Sequence, residues 1–178
     1  MDISVEQLGE LIAQAKAGRV TRENFQQFLA NPNGFAVGGF LVSIDYGKSI
    51  EEMVSSGRYD WANDAINSRN FQIVGSGTAQ VVPELVYLNK VVTSEEVLVH
   101  MEANGLRPAT LAELLAFGAT YPEIQRQYPV VCLGSLWVDR CGYRHVPDLY
   151  GGGSERELSL RWYGCGWLES CRFLAVRK

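Results

Sequence analysis

The side chains that could supply a nucleophile or a soft metal ligand are four cysteines and two histidines. They are Cys132, Cys141, Cys165, Cys171, His100 and His145. No two cysteines have the Cys-x-x-Cys spacing of common zinc sites, so the sequence predicts no metal site. Disulfides are possible but are not required in a cytosolic chain. We therefore expect small buried thiols, with one thiol exposed.

Cysteine chemistry is the enzymatic activity that these residues would most readily support. Cys165 and Cys171 could meet across residues 166–170. A reactive thiolate needs a neighbouring cation or a helix N-terminus, however, and Arg172 is the adjacent cation in sequence. The glycines at 151–153 lack the following Lys-Ser/Thr pair of a phosphate-binding loop. We therefore predict no catalytic residue and no cofactor, and a cysteine enzyme stays an alternative.

Length and composition indicate a soluble globular protein. The chain has 178 residues, of which 47% are hydrophobic and 20% are charged, which is enough apolar material for a buried core. Its N-terminus has neither the basic nor the apolar region of a signal peptide. No apolar run approaches the roughly 20 residues of a transmembrane helix. We therefore expect a cytoplasmic protein without membrane contact.

The net charge of -4 is distributed unevenly along the chain. From Arg140 onward the chain has seven basic and four acidic residues, whereas the part before Arg140 has nine basic and sixteen acidic residues. A mildly basic C-terminal part suits an anionic or polar ligand, but it lacks the dense basic stripe of nucleic-acid binders. The expected partner is a protein or a small polar ligand, and nucleic acid is not expected.

Residues 1–34 are predicted to form a helical hairpin, an appendage to the main domain. Apolar side chains recur at helical spacing on both sides of Gly18, which predicts two short helices within residues 1–34. So small a hairpin must pack on another surface, so it could dimerise or dock. The sequence thus allows a homo-oligomer, and an interaction adaptor that acts through this hairpin is a second alternative function.

Three longer helices are marked by capping boxes, in which a Ser or Thr precedes a Glu by three residues. The caps are Ser49, Thr93 and Thr110, and glycines at 57, 105 and 118 are expected to end these helices. A further short helix is predicted over residues 123–127, where Pro122 would occupy the first turn. Helices of this length, followed by strands, predict an α+β fold over residues 35–178.

Strands are predicted from apolar runs and from alternation. The predicted strands cover residues 35–45, 81–88, 130–138, 142–146, 157–163 and 171–176, and residues 151–154 form a loop. In the fifth strand the period of two sends Leu158, Leu160 and Trp162 into the core. The same alternation points Arg161 and Tyr163 outward.

Several short motifs follow one another in an order that a known fold shares. They are Arg107-Pro108-Ala109-Thr110 before a helix, Leu133-Gly134-Ser135 with Trp137, a glycine-rich loop, and the closing Arg172-Phe173-Leu174-Ala175-Val176-Arg177. Over residues 35–178 the chain resembles the C-type-lectin-like fold. It is most similar to the branch that contains formylglycine-generating enzymes and the variable proteins of diversity-generating retroelements.

The resemblance implies a domain whose N- and C-terminal strands come together, with a small mixed or antiparallel sheet and flanking helices. In the retroelement variable proteins the ligand-binding surface lies just before the closing strand. Carried over to this chain, the surface comprises Ser159, Arg161, Tyr163, Gly164, Cys165, Trp167, Leu168, Glu169 and Ser170. Diversification acts on adenine-containing codons, so Trp162 and Trp167 would be fixed residues. The Glu-Pro-Asn and Gln-Pro-Asp signatures of calcium-dependent sugar binding are absent.

The expected function is therefore ligand binding without catalysis. Tyr163 and Trp167 would lie on an exposed polar and aromatic surface that the C-terminal sheet holds rigid, because aromatic side chains give large contact area at low entropic cost. The resemblance further implies that this surface is diversified. The alternatives are the hairpin adaptor and a cysteine enzyme similar to formylglycine-generating enzymes.

Overall fold

The computed structural model describes residues 40–152 and 154–178. The predicted N-terminal hairpin, the predicted boundary between residues 34 and 35, and the first residues of the first predicted strand lie outside this part. The described part is an α+β structure with three helices and two sheets. None of its helices has the length and apolar content that crossing a membrane requires.

The helices and strands alternate irregularly along the described chain. The helices are α1 (Ile50–Gly57), α2 (Ser94–Ala103) and α3 (Leu111–Thr120). The strands are β1 (Val42–Asp45), β2 (Trp61–Ala62), β3 (Thr78–Val81), β4 (Glu84–Val86), β5 (Leu106–Pro108), β6 (Val130–Val131), β7 (Trp137–Val138), β8 (Arg144–Gly152), β9 (Glu155–Trp162) and β10 (Arg172–Arg177).

All three helices begin at their predicted capping boxes. The side chains of Ser49, Thr93 and Thr110 each accept a hydrogen bond from the backbone N–H of the glutamate three residues later. That glutamate in turn accepts one from the N–H of the cap. These reciprocal bonds satisfy donors that a helix N-terminus leaves unpaired, so the three predicted starts are confirmed.

Two predicted helix features are wrong. Helix α3 continues through Gly118 to Thr120, because Gly118 gives room to a neighbour rather than ending the helix. A Cβ there would lie 2.4 Å from the hydroxyl of Tyr59 and 2.9 Å from a methyl of Leu149. Residues 123–127 form turns closed by bonds from Ile124 to Tyr121 and from Gln127 to Ile124, and no helix forms there.

Strand β10 lies inside the larger, eight-stranded sheet. On one side it pairs in parallel with β6 and, further along, antiparallel with β5, and on the other side it pairs antiparallel with β4. The main order is β2-β9-β8-β6-β10-β4, with β7 paired to β8. Strands β1 and β3 form a separate two-stranded sheet. The expectation that the first and last strands of residues 35–178 meet is therefore wrong, since β1 and β10 belong to different sheets.

Two predicted strands are each divided into two. The strand predicted over residues 81–88 is interrupted at Pro83: it contains β4 and only the last residue of β3, and these two strands belong to different sheets. The strand predicted over residues 130–138 breaks into β6 and β7, which pair with separate parts of β8. Gly134 lies in this second break, where its N–H donates to the Ala109 carbonyl at 3.0 Å. A Cβ on Gly134 would lie 2.3 Å from that oxygen.

The β8–β9 hairpin is buried on both faces, but at different ends. Leu149 and Leu158 are paired across the hairpin and fully buried, on the face that α3 covers through Gly118. Val146 and Tyr163 belong to a second buried cluster with residues of α2. Each face of the hairpin therefore has a core over one part of its length and solvent over the rest.

Arg156, near the start of β9, bonds three elements from the interior, where it is 6% exposed. Its Nη1 donates to the Gly57 carbonyl at 2.7 Å, and its Nη2 donates to the Gly118 carbonyl at 2.7 Å and to Gln125 Oε1 at 3.0 Å. The guanidinium also lies over the Tyr59 ring. A cation near the C-terminal ends of two helices is favoured by their dipoles.

Replacing this guanidinium should be costly. Arg156→Met should lower the free energy of unfolding by roughly 3–5 kcal/mol, because three buried acceptors lose their donors. Arg140→Met is the control, since Arg140 is exposed and surface changes of this kind stay within about 0.5 kcal/mol. Urea unfolding followed by circular dichroism measures both. Equal stability of the two variants would show that the Arg156 bonds contribute nothing.

Candidate functional site

The nine predicted binding residues lie on β9 and on the segment that joins it to β10, but they differ in exposure. Gly164, Leu168, Glu169 and Ser170 are exposed, and Ser159, Arg161 and Cys165 are partly buried. Tyr163 and Trp167 are 7% and 2% exposed. The structure therefore brings the predicted residues into one region but removes its two aromatic side chains from the surface.

Trp167 holds the connecting segment against the domain. Its backbone exchanges two hydrogen bonds with Val92, at 2.8 and 3.1 Å, and its indole Nε1 donates to Ser94 Oγ at 2.9 Å. Its ring meets Phe173 edge to face. The expectation that Trp167 is exposed to ligand is wrong, because this side chain fills the core beneath the segment.

Trp162 and Tyr163 lie on the sides opposite to those predicted. Trp162 is 51% exposed, whereas Tyr163 is buried, and the Tyr163 carbonyl accepts a bond from Ser94 Oγ at 2.6 Å. The alternation itself is retained, since Trp162 lies on the same face as Leu158. The core on that face ends before Trp162, and α2 covers the other face at Tyr163. The predicted alternation of the side chains was right, but the prediction of which face is buried at these two residues was wrong.

Arg161 is fixed by a buried carboxylate on the neighbouring strand. Its Nε donates to Asp148 Oδ2 at 2.8 Å, and the Asp148 side chain is fully buried. Burial raises the pKa of Asp148, and the charge of Arg161 opposes this rise. The guanidinium lies 5.3 Å from the centre of the Tyr150 ring. The Nη groups make no hydrogen bond within residues 40–152 and 154–178, so they are free for an anionic or polar ligand.

The four cysteines are unpaired thiols in very different surroundings. Cys132 and Cys171 are buried, Cys165 is partly buried and Cys141 is exposed, as the sequence predicted. Burial raises the pKa of Cys132 to about 12. It also raises the pKa of Cys165 and of Cys171, against the opposing charge of Arg161. Because the thiolate is the nucleophile, these surroundings do not activate either thiol of the pair.

No cluster of three or more His, Cys, Asp or Glu side chains in the described ranges is arranged to hold a metal ion. A fixed guanidinium, a hydroxyl at Ser159 and the exposed residues around Trp167 can bind by hydrogen bonding and by contact.

The sequence interpretation missed an exposed aromatic group beside the predicted site. Trp137, Tyr143, His145 and Trp162, here called the aromatic patch, come from β7, β8, β9 and the turn between β7 and β8. Tyr143 is 56% exposed. The sequence contained a sign of this group. Tyr143 directly follows the Cys141-Gly142 turn, and a residue just after a hairpin turn lies beside the neighbouring strand.

Known proteins give no assignment for this site. Comparisons of the chain with protein families, with curated proteins and with solved structures find no significant match. Its function must therefore be inferred from the fixed Arg161, the buried Trp167 and the exposed residues between them.

Two neighbouring positions should respond very differently to truncation. Trp167→Ala should lower the free energy of unfolding by roughly 3–5 kcal/mol, because it leaves a large cavity and removes the bond to Ser94. Leu168→Ala, which changes a side chain that is 64% exposed, should change it by less than about 0.5 kcal/mol. Thermal and urea unfolding measure both variants. A comparable loss in the two would place Trp167 outside the core.

Asp148 should make stability depend on pH with the sign opposite to that of Asp139. Burial raises the pKa of Asp148 above its ordinary 3.8, so its contribution to the free energy of unfolding falls as pH rises through and above that value. A hydrogen bond from His145 lowers the pKa of Asp139, so the contribution of Asp139 is lost as pH falls below its ordinary value.

The comparison is made with Asp148→Asn and Asp139→Asn. The stability of the parent chain relative to Asp148→Asn should decrease as the pH rises from acid toward neutral. The stability of the parent chain relative to Asp139→Asn should increase as the pH rises through the acid range. Urea unfolding at a series of pH values gives both differences. Slopes of the same sign would contradict the assigned direction for one of the two carboxyl groups.

Proposed function

We propose that the chain is a non-enzymatic ligand-binding protein that presents the segment between β9 and β10 as its binding surface. The observation that carries this proposal is the burial of Trp167 at the middle of an otherwise exposed segment. Its bonds to Val92 and Ser94 hold the backbone, while Leu168, Glu169 and Ser170 stay exposed. A surface that is fixed before it meets its ligand loses less entropy on binding.

Arg161 supports a ligand with an anionic or polar group. The buried Asp148 holds the guanidinium through Nε, and the terminal nitrogens make no hydrogen bond to another described residue. Guanidinium groups form paired hydrogen bonds with carboxylates and similar anions. The Ser159 hydroxyl lies on the same face of β9, because residues two apart in a strand share a face. The ligand can be a protein or a small molecule that carries such a group.

We further propose that the domain is of the C-type-lectin-like class and begins at β4 rather than at residue 35. The antiparallel pairing of β4 with β10 supports this boundary, because that class joins its first and last strands. The elements β4, α2, β5 and α3 then precede the remaining strands of the sheet in this domain, as the resemblance implies. Strands β1, β2 and β3 with α1 would be an addition in front of the domain, and β2 would extend the domain's sheet by pairing with β9.

Diversification by a retroelement is the most specific form of this proposal. Six of the predicted positions have exposed or partly exposed side chains: Ser159, Arg161, Cys165, Leu168, Glu169 and Ser170. Five of them can change without rebuilding a core, whereas a change at Arg161 also removes the partner of the buried Asp148. Tyr163 and Trp167 are excluded by their burial. Gly164 is restricted, because a Cβ there would lie 3.1 Å from the Trp162 ring. Only the side chain of Trp162 would need to move.

A cysteine enzyme has less support. Burial raises the pKa of Cys165 and of Cys171, and both thiols are held protonated rather than activated. Activity lost in Cys165→Ser or Cys171→Ser, with the fold retained, would favour this alternative over ligand binding.

The proposal predicts which positions tolerate replacement. A library randomised at these six positions should consist mostly of folded, protease-resistant proteins, because Arg161 is the one position among them that pairs with a buried group. A control library randomised at six buried positions should be mostly unfolded. The control positions are Val146, Leu149, Leu158, Tyr163, Trp167 and Phe173. Display on yeast followed by protease treatment and sequencing compares the two libraries. Similar surviving fractions would contradict the proposed surface.

Binding and diversification are tested separately. Selection of the first library on immobilised lysozyme as a test protein should yield binders whose affinity depends on the selected residues, and failure to select any from a folded library would refute the binding role. The encoding DNA should lie near a reverse transcriptase gene and a near-copy of the 158–178 coding stretch that differs at adenines. Without such a copy the diversification proposal fails, while the binding proposal stands.

A further inference from the structure

Arg172, the first residue of β10, is a charged side chain that the domain buries without a counterion. It is 9% exposed, and it forms no ion pair with any carboxylate of the described residues. A charge that is removed from water is costly unless neighbouring groups compensate for it. For Arg172 these groups are aromatic rings and backbone carbonyls.

Two tyrosines enclose the guanidinium from the two sides of β10. The guanidinium carbon of Arg172 lies 3.4 Å from the centre of the Tyr87 ring and 4.5 Å from the centre of the Tyr128 ring. Tyr87 directly follows β4 and Tyr128 lies two residues before β6, and these strands flank β10. Both distances are typical of cation–π contacts. The guanidinium therefore lies between two aromatic rings, and we call this arrangement the Arg172 slot.

The domain uses only one nitrogen of this guanidinium. Nη1 of Arg172 donates to the carbonyls of Ser170 and Cys171, at 2.9 and 3.3 Å. Nε and Nη2 make no hydrogen bond to another described residue, and neither belongs to the buried atoms without a partner, so both reach solvent. Together they form one edge of the guanidinium plane. Such an edge donates two parallel hydrogen bonds to a carboxylate.

The slot is ordered by the domain itself. The Tyr87 hydroxyl donates to Asn89 Oδ1 at 2.6 Å, and Asn89 has a positive φ of 51°, which asparagine adopts more readily than most residues. On the other side of the guanidinium, the Tyr128 hydroxyl is buried and has no partner among the described residues. The slot thus has polar capacity that the domain leaves unused. A site that is ordered in advance loses less entropy on binding.

Arg172 and Arg161 lie on opposite faces of the sheet. Phe173 belongs to the buried cluster that contains residues of α2. Because side chains alternate along a strand, its neighbour Arg172 points to the other face. Arg161 shares its face with Tyr163, which is a member of the same cluster. The Arg172 slot is therefore separate from the surface proposed above.

We propose that the Arg172 slot binds a small-molecule ligand through a carboxylate group. The carboxylate accepts hydrogen bonds from Nε and Nη2 and lies in the plane of the guanidinium. A planar carboxylate fits between the two rings, whereas a tetrahedral phosphate directs oxygens out of that plane and toward the rings. The ligand supplies the counterion that the described residues do not. This site does not depend on the segment between β9 and β10 being a binding surface.

The first test compares small acids with their uncharged amides on the full chain. The pairs are acetate with acetamide, benzoate with benzamide, and succinate with succinamide, each titrated at constant ionic strength. At least one acid should shift the Nε–Hε resonance of Arg172 in a saturable way, and its amide should not. The absence of such a shift for all three acids, or an equal shift for the amides, overturns the proposal.

Variants of the slot test the assignment to Arg172 and Tyr87. Arg172→Lys should weaken binding of the acid about tenfold, because lysine keeps the charge but lacks the paired donors. Tyr87→Leu should weaken it about threefold, because the guanidinium loses a stacked ring. The backbone amide shifts of residues 170–173 give the affinities, and the full amide spectrum shows that each variant is folded.

Tyr143→Leu is the matched control for Tyr87→Leu. Tyr143 is 56% exposed and Tyr87 is 43% exposed, but the Tyr143 ring meets Trp162 rather than Arg172. This control should leave the affinity for the acid unchanged. Because Tyr87 is largely outside the core, its variant keeps the test decisive even if Arg172→Lys does not fold. An equal affinity in Tyr87→Leu and Tyr143→Leu overturns the proposal.

Two further probes separate the carboxylate ligand from other anions. Inorganic phosphate that shifts Arg172 at lower concentration than every acid overturns the assignment to a carboxylate. Acetyl-triglycine that binds at least about tenfold more tightly than every small acid, with its amide inactive, overturns the assignment to a small molecule, since a tenfold difference corresponds to contacts beyond the carboxylate.

Discussion

The bonds of Arg156 tie together elements that the chain supplies far apart. From the start of β9 they reach the ends of α1 and α3 and the turn at Gln125. Its Nε has no partner among the residues that the structure describes, so the acceptors at Nη1 and Nη2 provide the compensation that a buried charge requires. All of these elements must therefore be in place together, and β9 cannot shift without breaking bonds to both helices.

Two glycines make this arrangement possible. A Cβ at Gly57 would lie 2.3 Å from the Tyr59 ring, and one at Gly118 would lie 2.4 Å from its hydroxyl. Without side chains at these positions, Tyr59 can reach the guanidinium of Arg156 and close the space between α1, α3 and the sheet. Burial in this space raises the pKa of Tyr59, so the phenol stays neutral beside the charge.

The exposed parts of the β8–β9 hairpin follow from the way its two faces are covered. Helix α3 covers one face near Leu149 and Leu158, and α2 with Trp167 covers the other face near Tyr163. A strand that is buried on different faces at its two ends must expose part of each face. Arg161 lies on one of these exposed parts, and Trp162 lies on the other.

The sequence by itself determined what depends on near neighbours along the chain. Each capping box is closed by bonds that span three residues, and the alternation in β9 follows from backbone geometry. The α+β class follows from these local patterns, whereas the region of the candidate site was predicted from the resemblance of the C-terminal motifs to a known family. They contain no information on which helix will cover which face of a strand.

Only the tertiary structure decided the direction of the aromatic side chains and the pairing of the charges. Trp162 is exposed and Tyr163 is buried because α2 packs over one face of β9 at that point and none of the described elements covers the other. Asp148 meets Arg161 because the hairpin register places their strands side by side. Burial and charge pairing depend on contacts between residues distant in sequence, which a local pattern cannot specify.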